Sequence, residues 1–184
     1  MKRLLMLVTG YLFLITMNVN AQAEYKQFRV DFGLGLCTGK SKYGTFGPML
    51  YLEPKYAVTP KLSAGLKYET NVVIRNLTAK NYMFIQYINS YQVTADYYLK
   101  QSTFRPFVGA GLGSYRIRVD DKMTTQKIFG GNSKNNFGIM FRTGFDISHI
   151  RLMLAYNLAG KDKSTNNANF VSVSIGTYFG GGKK

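Results

Sequence analysis

The 184-residue sequence has no tryptophan, one cysteine, one histidine, four prolines and only nine acidic residues. Each shortage removes a class of answer. The lone Cys37 excludes an internal disulfide and a cysteine-rich zinc site. Beyond the first residues no apolar run reaches the ~20 residues of a spanning helix, so hydropathy alone suggests a soluble chain. What is abundant argues otherwise. Fourteen tyrosines, 13 phenylalanines and 19 glycines, without long runs of helix formers, point to an all-β protein. The 24 Lys and Arg residues give a formal charge of +15.

The first residues read as a secretory signal. Lys2 and Arg3 precede an apolar run from Leu4 to Met17, and the small-x-small triplet Ala21-Gln22-Ala23 stands before Glu24. That order of charge, apolar core and small residues is what signal peptidase cleaves. The expected division is a signal peptide over 1–23 and one domain over 24–184. The apolar run is short for a membrane anchor, and Cys37 lies too far along to carry a lipid. Without Lys2 and Arg3, 22 basic residues face nine acids. In an intracellular protein nucleic acid would be considered first. Behind a leader, the expected polyanions are lipid phosphates or surface polysaccharide, and no nucleic-acid partner is expected.

Period-2 alternation runs through the whole mature chain. Phe28, Val30, Phe32, Leu34 and Leu36 alternate with Arg29, Asp31, Gly33, Gly35 and Cys37. Comparable segments begin near Leu50, Leu62, Met83, Val108, Phe137, Ile150 and Val171, and the alternation becomes ambiguous near Arg116 and Arg118. Eight segments of ~10 residues with this dyad period predict an eight-stranded, antiparallel, up-and-down transmembrane β-barrel. Connections are expected to alternate. Long ones cover 38–46, 71–81, 120–136 and 160–169; short ones fall at Thr59-Pro60-Lys61, Lys100-Gln101-Ser102 and Ser148-His149. Short periplasmic turns, longer outer loops and two periplasmic termini are the pattern of a bacterial outer-membrane barrel.

The face that carries the charges also carries glycine repeatedly in mid-strand. On a solvated exterior such glycines weaken a strand, whereas an eight-stranded interior admits only small side chains. The polar face is therefore assigned to the lumen, with a charge network of Arg29, Asp31, Glu53, Lys55, Lys67, Glu69, Asp96, Arg142, Asp146 and Arg151. Opposite charges buried together can pair and hydrogen-bond. The outward face then presents aliphatic residues with Tyr56, Tyr68, Tyr91, Tyr97, Phe145, Tyr156, Phe170 and Phe179 toward its ends, as membrane interfaces favour.

On these residues the chain resembles a known family. The segment Arg105-Pro-Phe-Val-Gly-Ala-Gly-Leu-Gly-Ser-Tyr115 is similar to a strand of the small, porin-like outer-membrane β-barrel family of OmpA/OmpX type. The last strand, ending Ile175-Gly-Thr-Tyr-Phe179, resembles the C-terminal strands bound by the barrel-assembly machinery, which the resemblance implies as a partner during biogenesis. The tail Gly180-Gly-Gly-Lys-Lys184 departs from that pattern by leaving the aromatic short of the terminus. The resemblance spans the mature chain and implies membrane integration more than transport.

No catalytic constellation stands out. Gly109-Ala-Gly-Leu-Gly113 has the wrong spacing for a dinucleotide loop and no helix after it. Asn76-Leu-Thr78 is a glycosylation pattern without meaning in a bacterium. His149, beside Ser148 and near Asp146, reads as a turn residue. The expectation is a monomer that is not an enzyme and has no metal or cofactor. Its lumen is largely plugged and its role structural or surface-interactive. The basic residues Lys40, Lys42, Arg75, Lys80, Lys122, Lys127, Lys134, Lys161 and Lys163 are expected in the outer loops, against outer-membrane lipids such as lipopolysaccharide phosphates. The alternatives are a narrow porin-like channel for small solutes and a soluble, lipocalin-like ligand carrier.

Overall fold

A computed structural model describes residues 27–39, 45–77, 82–120, 133–160 and 169–181. They form eight strands: β1 (Phe28–Gly39), β2 (Thr45–Thr59), β3 (Leu62–Leu77), β4 (Tyr82–Tyr98), β5 (Phe104–Asp120), β6 (Ser133–Ile147), β7 (Ile150–Leu158) and β8 (Phe170–Gly180). Each pairs antiparallel with the next, and β8 pairs with β1, so the sheet closes. The expected leader, 1–23, lies outside the described residues.

Closure fixes the size of the interior. The paired positions can be followed once round the barrel, from Arg29 through Lys55, Gly65, Thr94, Gly111, Met140, Asn157 and Phe170. They return to β1 at Gly39, ten residues above the start. Eight strands with a ten-residue stagger require a tilt of about 40°, and leave an interior that side chains can fill.

The lower end of the barrel holds the turns 60–61, 99–103 and 148–149 and both ends of the described chain; the upper end holds the strand ends Gly39, Thr45, Leu77, Tyr82, Asp120, Ser133, Leu158 and Phe170. At the first lower turn Thr59 Oγ1 accepts from the backbone N–H groups of Lys61 (3.3 Å) and Leu62 (3.0 Å). At the third, Ser148 takes φ +53° and its carbonyl accepts the Tyr178 hydroxyl.

The alternation is realised with the apolar face outward. Leu34, Leu50, Leu66, Val93, Leu112, Phe141 and Ile175 are exposed in mid-strand, while Phe28, Tyr56, Tyr97, Phe104 and Phe179 ring the lower end. Phe46, Tyr87 and Phe137 stand toward the upper end. Three expectations are corrected. Phe170 is buried, because β8 turns its even-numbered residues inward. Tyr68 and Tyr91 are cross-strand partners in the middle of their strands, rings 5.1 Å apart, not at a rim. Three of the four upper strand-to-strand intervals are also shorter than expected: 78–81 is briefer than the lower interval 99–103, because β3 and β4 stay paired to Leu77 and Tyr82.

Candidate functional site: the charged lumen and the upper rim

The ten charged residues assigned to the polar face are all buried inside the barrel. Eight of them form one connected network. Lys55 Nζ lies 2.8 Å from Asp31, 2.7 Å from Asp96 and 3.3 Å from Glu53, drawing together β1, β2 and β4. Arg142 donates from both terminal nitrogens to Glu53 (2.7 and 2.9 Å) and from Nε to Asp96 (2.7 Å). Arg151 donates to Asp96 (2.7 Å) and Asp146 (3.2 Å), with its guanidinium 3.7 Å from the centre of the Phe107 ring. Arg29 bridges Asp31 and Asp146, each at 2.9 Å, and lies over Tyr178.

Four acids therefore meet four bases, so no net charge is stranded in the interior. Carboxylates held by several donors meet the condition under which charge is tolerated away from water. Lys67 and Glu69 pair separately, and Asn71 Nδ2 donates to Glu69 at 2.9 Å.

Glycine makes room for this network. Gly109 lies between Asp96 on β4 and Arg142 on β6. A Cβ there would collide with the Asp96 carboxylate and stand 2.7 Å from the Ala95 carbonyl oxygen. Only glycine lets the two charges close over β5.

Above the network the lumen is mixed, with the Lys67–Glu69 pair, Asn71 and Ser90 buried beside apolar side chains. Cys37, Met49, Tyr51, Ile88, Tyr115, Ile117 and Phe170 pack together, and the Tyr115 hydroxyl donates to Asn157 Oδ1 at 2.9 Å. Below it, the Arg105 guanidinium stacks 4.1 Å from the centre of the Tyr98 ring. That end holds a cavity of only about 20 Å³, lined by residues including Arg29, Lys55, Ser63 and Arg105. Tyr98, Phe107 and Arg105 were missed from sequence, although each shares the inward parity of the charged residues.

The basic upper residues divide differently. Lys40, Lys42, Lys80, Lys122, Lys127, Lys161 and Lys163 lie outside the described residues. Arg75 and Lys134 do not belong to loops: their backbones pair with Phe84 in β4 and Ile117 in β5. Ser148 and His149 are exposed in a turn, with the His149 ring 5.6 Å from Tyr178, whereas Asp146 points into the lumen. The three are not assembled as a catalytic group. Among the described residues no group of three or more His, Cys, Asp or Glu side chains is placed to hold a metal, and no helix is long and apolar enough to cross a membrane.

A closed, eight-stranded antiparallel barrel with charged lumen and apolar exterior is the fold of small outer-membrane barrel proteins. In particular, the chain is similar to Neisserial surface protein A, at 18% identity and a TM-score of 0.63, over 85% of this chain and 98% of that one. It also resembles the N-terminal β-barrel domain of OprF from Pseudomonas aeruginosa, at 13% identity and a TM-score of 0.50, over 85% and 100% of the two chains. No protein-family model matches the sequence, and no curated protein matches it.

Proposed function

We propose that the protein is an integral outer-membrane barrel that passes little solute and acts through its surface. In this reading both termini are periplasmic, and the upper end, with its basic residues, faces outward against lipopolysaccharide phosphates. The single observation that carries it is the lumen. The Lys55–Asp31–Asp96–Arg142–Glu53 cluster ties β1, β2, β4 and β6 together across the interior, with the packed side chains around Tyr115 and Phe170 above it. An ion would have to displace charge-assisted hydrogen bonds at every step. The exposed Leu34, Leu50, Leu66 and Leu112 favour a hydrocarbon surround and disfavour a soluble ligand carrier, which would need those side chains inside.

Planar-bilayer recording of the refolded protein tests the closed lumen. Insertion without reproducible conductance steps is the expected outcome. Steps of constant size would establish the narrow channel instead. Membrane fractionation with heat-modifiable gel mobility tests the location; recovery as a soluble protein without a mobility shift would overturn it.

A further inference from the structure

In mid-strand the exterior of the barrel is apolar on most strands and carries hydroxyl groups on one wall. Leu34, Leu50, Phe141, Leu154 and Ile175 face outward and are exposed on β1, β2, β6, β7 and β8. On β3, β4 and β5 the register sets the outward residues in rungs. Leu66–Val93–Leu112 is followed, toward the upper end, by Tyr68–Tyr91–Ser114. The rung after that begins with Thr70 and Asn89, joined by a 2.7 Å hydrogen bond from Thr70 Oγ1 to Asn89 Oδ1.

Tyr68, Tyr91 and Ser114 are all exposed. The two tyrosines touch ring against ring, but no described residue hydrogen-bonds to any of the three hydroxyl groups. Hydrocarbon offers them no partner either, and a hydroxyl left unmet in an apolar medium costs free energy. Tyr156 on β7, away from this wall, is also exposed in mid-strand. Its cross-strand neighbours are Phe141 and Val171, so its hydroxyl stands singly. Among the described strands, β3–β5 alone bring three such groups into one rung.

We propose that the outward face of β3–β5 around Tyr91 and Ser114 is the contact surface for a second copy of this chain, joined to the first within the membrane. The proposal rests on the membrane reading above, and it replaces the monomer expected from the sequence. A second copy is the occupant because two copies insert in one orientation and to one depth. A two-fold axis along the membrane normal therefore brings residues of similar depth together. Tyr91 and Ser114 are cross-strand partners, so an axis passing between them sets Tyr91 of each copy opposite Ser114 of the other. Hydroxyls both donate and accept, and each pair can satisfy itself where an acyl chain can do neither. Polar side chains that bond across an interface are one of the forces that join proteins in a bilayer, where apolar contact alone gains little over lipid.

The test follows energy transfer between donor- and acceptor-labelled copies of the full chain refolded in phosphatidylcholine vesicles, over a range of lipid-to-protein ratios. Dye is carried on Lys61→Cys in a lower turn, since Cys37 is buried and does not compete for it. This labelled parent is expected to show transfer above that of random mixing, falling as lipid is added. Tyr68→Phe/Tyr91→Phe/Ser114→Ala removes the three hydroxyls and keeps both rings. It should weaken association by about tenfold, the worth of two hydrogen bonds in a bilayer. Ser114→Ala alone should weaken it in the same direction, which keeps the test intact if the triple variant does not fold. Tyr156→Phe should leave association unchanged. Transfer no greater than random mixing would mean that lipid or another protein meets these hydroxyls, and would overturn the proposal. Association unaltered by Ser114→Ala and the triple variant, or weakened equally by Tyr156→Phe, would overturn it too. Failure of the parent to insert into vesicles would instead defeat the membrane reading, so the two failures are distinguishable.

Discussion

Arg142 crosses the lumen from β6 to Glu53 on β2 and also binds Asp96 on β4, so its removal leaves two buried carboxylates short of donors. Breaking a buried ion pair from one side costs about 3–5 kcal/mol. Arg142→Met is expected to lose stability in that range, measured as the urea midpoint of the refolded barrel. Glu53→Gln alone should also destabilise, and the double variant should recover about 1–3 kcal/mol relative to the sum of the two. Strict additivity would mean the pair contributes no coupling. Gly109→Ala tests the same contact sterically, because its methyl group would meet the Asp96 carboxylate and the strand backbone. A loss of about 1–3 kcal/mol is expected by the same measurement. At this scale the sequence was informative wherever charge and parity coincided. The inward parity of Asp96 and Arg142 was readable; their partners were not, because pairing depends on distances across the barrel.

At the scale of elements, the strands were legible where lipid and lumen impose opposite demands on the two faces. Leu34 against Gly35 and Leu112 against Gly113 alternate for that reason. Near the upper end outward residues become polar while inward ones stay apolar: Arg116 faces out and Ile117 in. In β3 and β6 the apolar–polar period itself lapses in the sequence, over Val72-Val73-Ile74 and Ser133-Lys134-Asn135-Asn136, while the backbone ladder continues, so the alternation ends before the strands do. Hydrogen exchange should show slowed amides where Arg75–Leu77 pairs with Tyr82–Phe84. Exchange there at the rate of an unpaired chain would contradict the extended hairpin. The lower turns are set by local chemistry instead. Ser148 adopts a positive φ, so Ser148→Gly should preserve or raise stability, by up to about 1 kcal/mol, and Ser148→Val should lower it by about 1–2 kcal/mol. The thermal midpoint of the mobility shift distinguishes these directions.

For the whole molecule, the ten-residue stagger and the neutral interior act together. The stagger sets a lumen that large side chains can span, and the charges that span it are matched in number, so the interior is closed by groups that hold one another. Size and packing could not be read from composition, since they follow from strand register around the complete circle. Removing Arg142 and Arg151 together should separate closure from folding. Arg142→Ala/Arg151→Ala shortens two buried side chains on β6 and β7, leaving Asp31, Glu53, Asp96 and Asp146 facing only Arg29 and Lys55. Water enters such a space because it is polar and offers several partners. The acid excess should then favour cations. In planar bilayers the double variant is expected to show small steps, with a reversal potential in a KCl gradient on the cation-selective side, while wild type stays silent. Retention of the heat-modifiable shift establishes that the variant still closes as a barrel. A folded variant that remains silent would place the barrier in the packed side chains around Tyr115 and Phe170, which both substitutions leave intact.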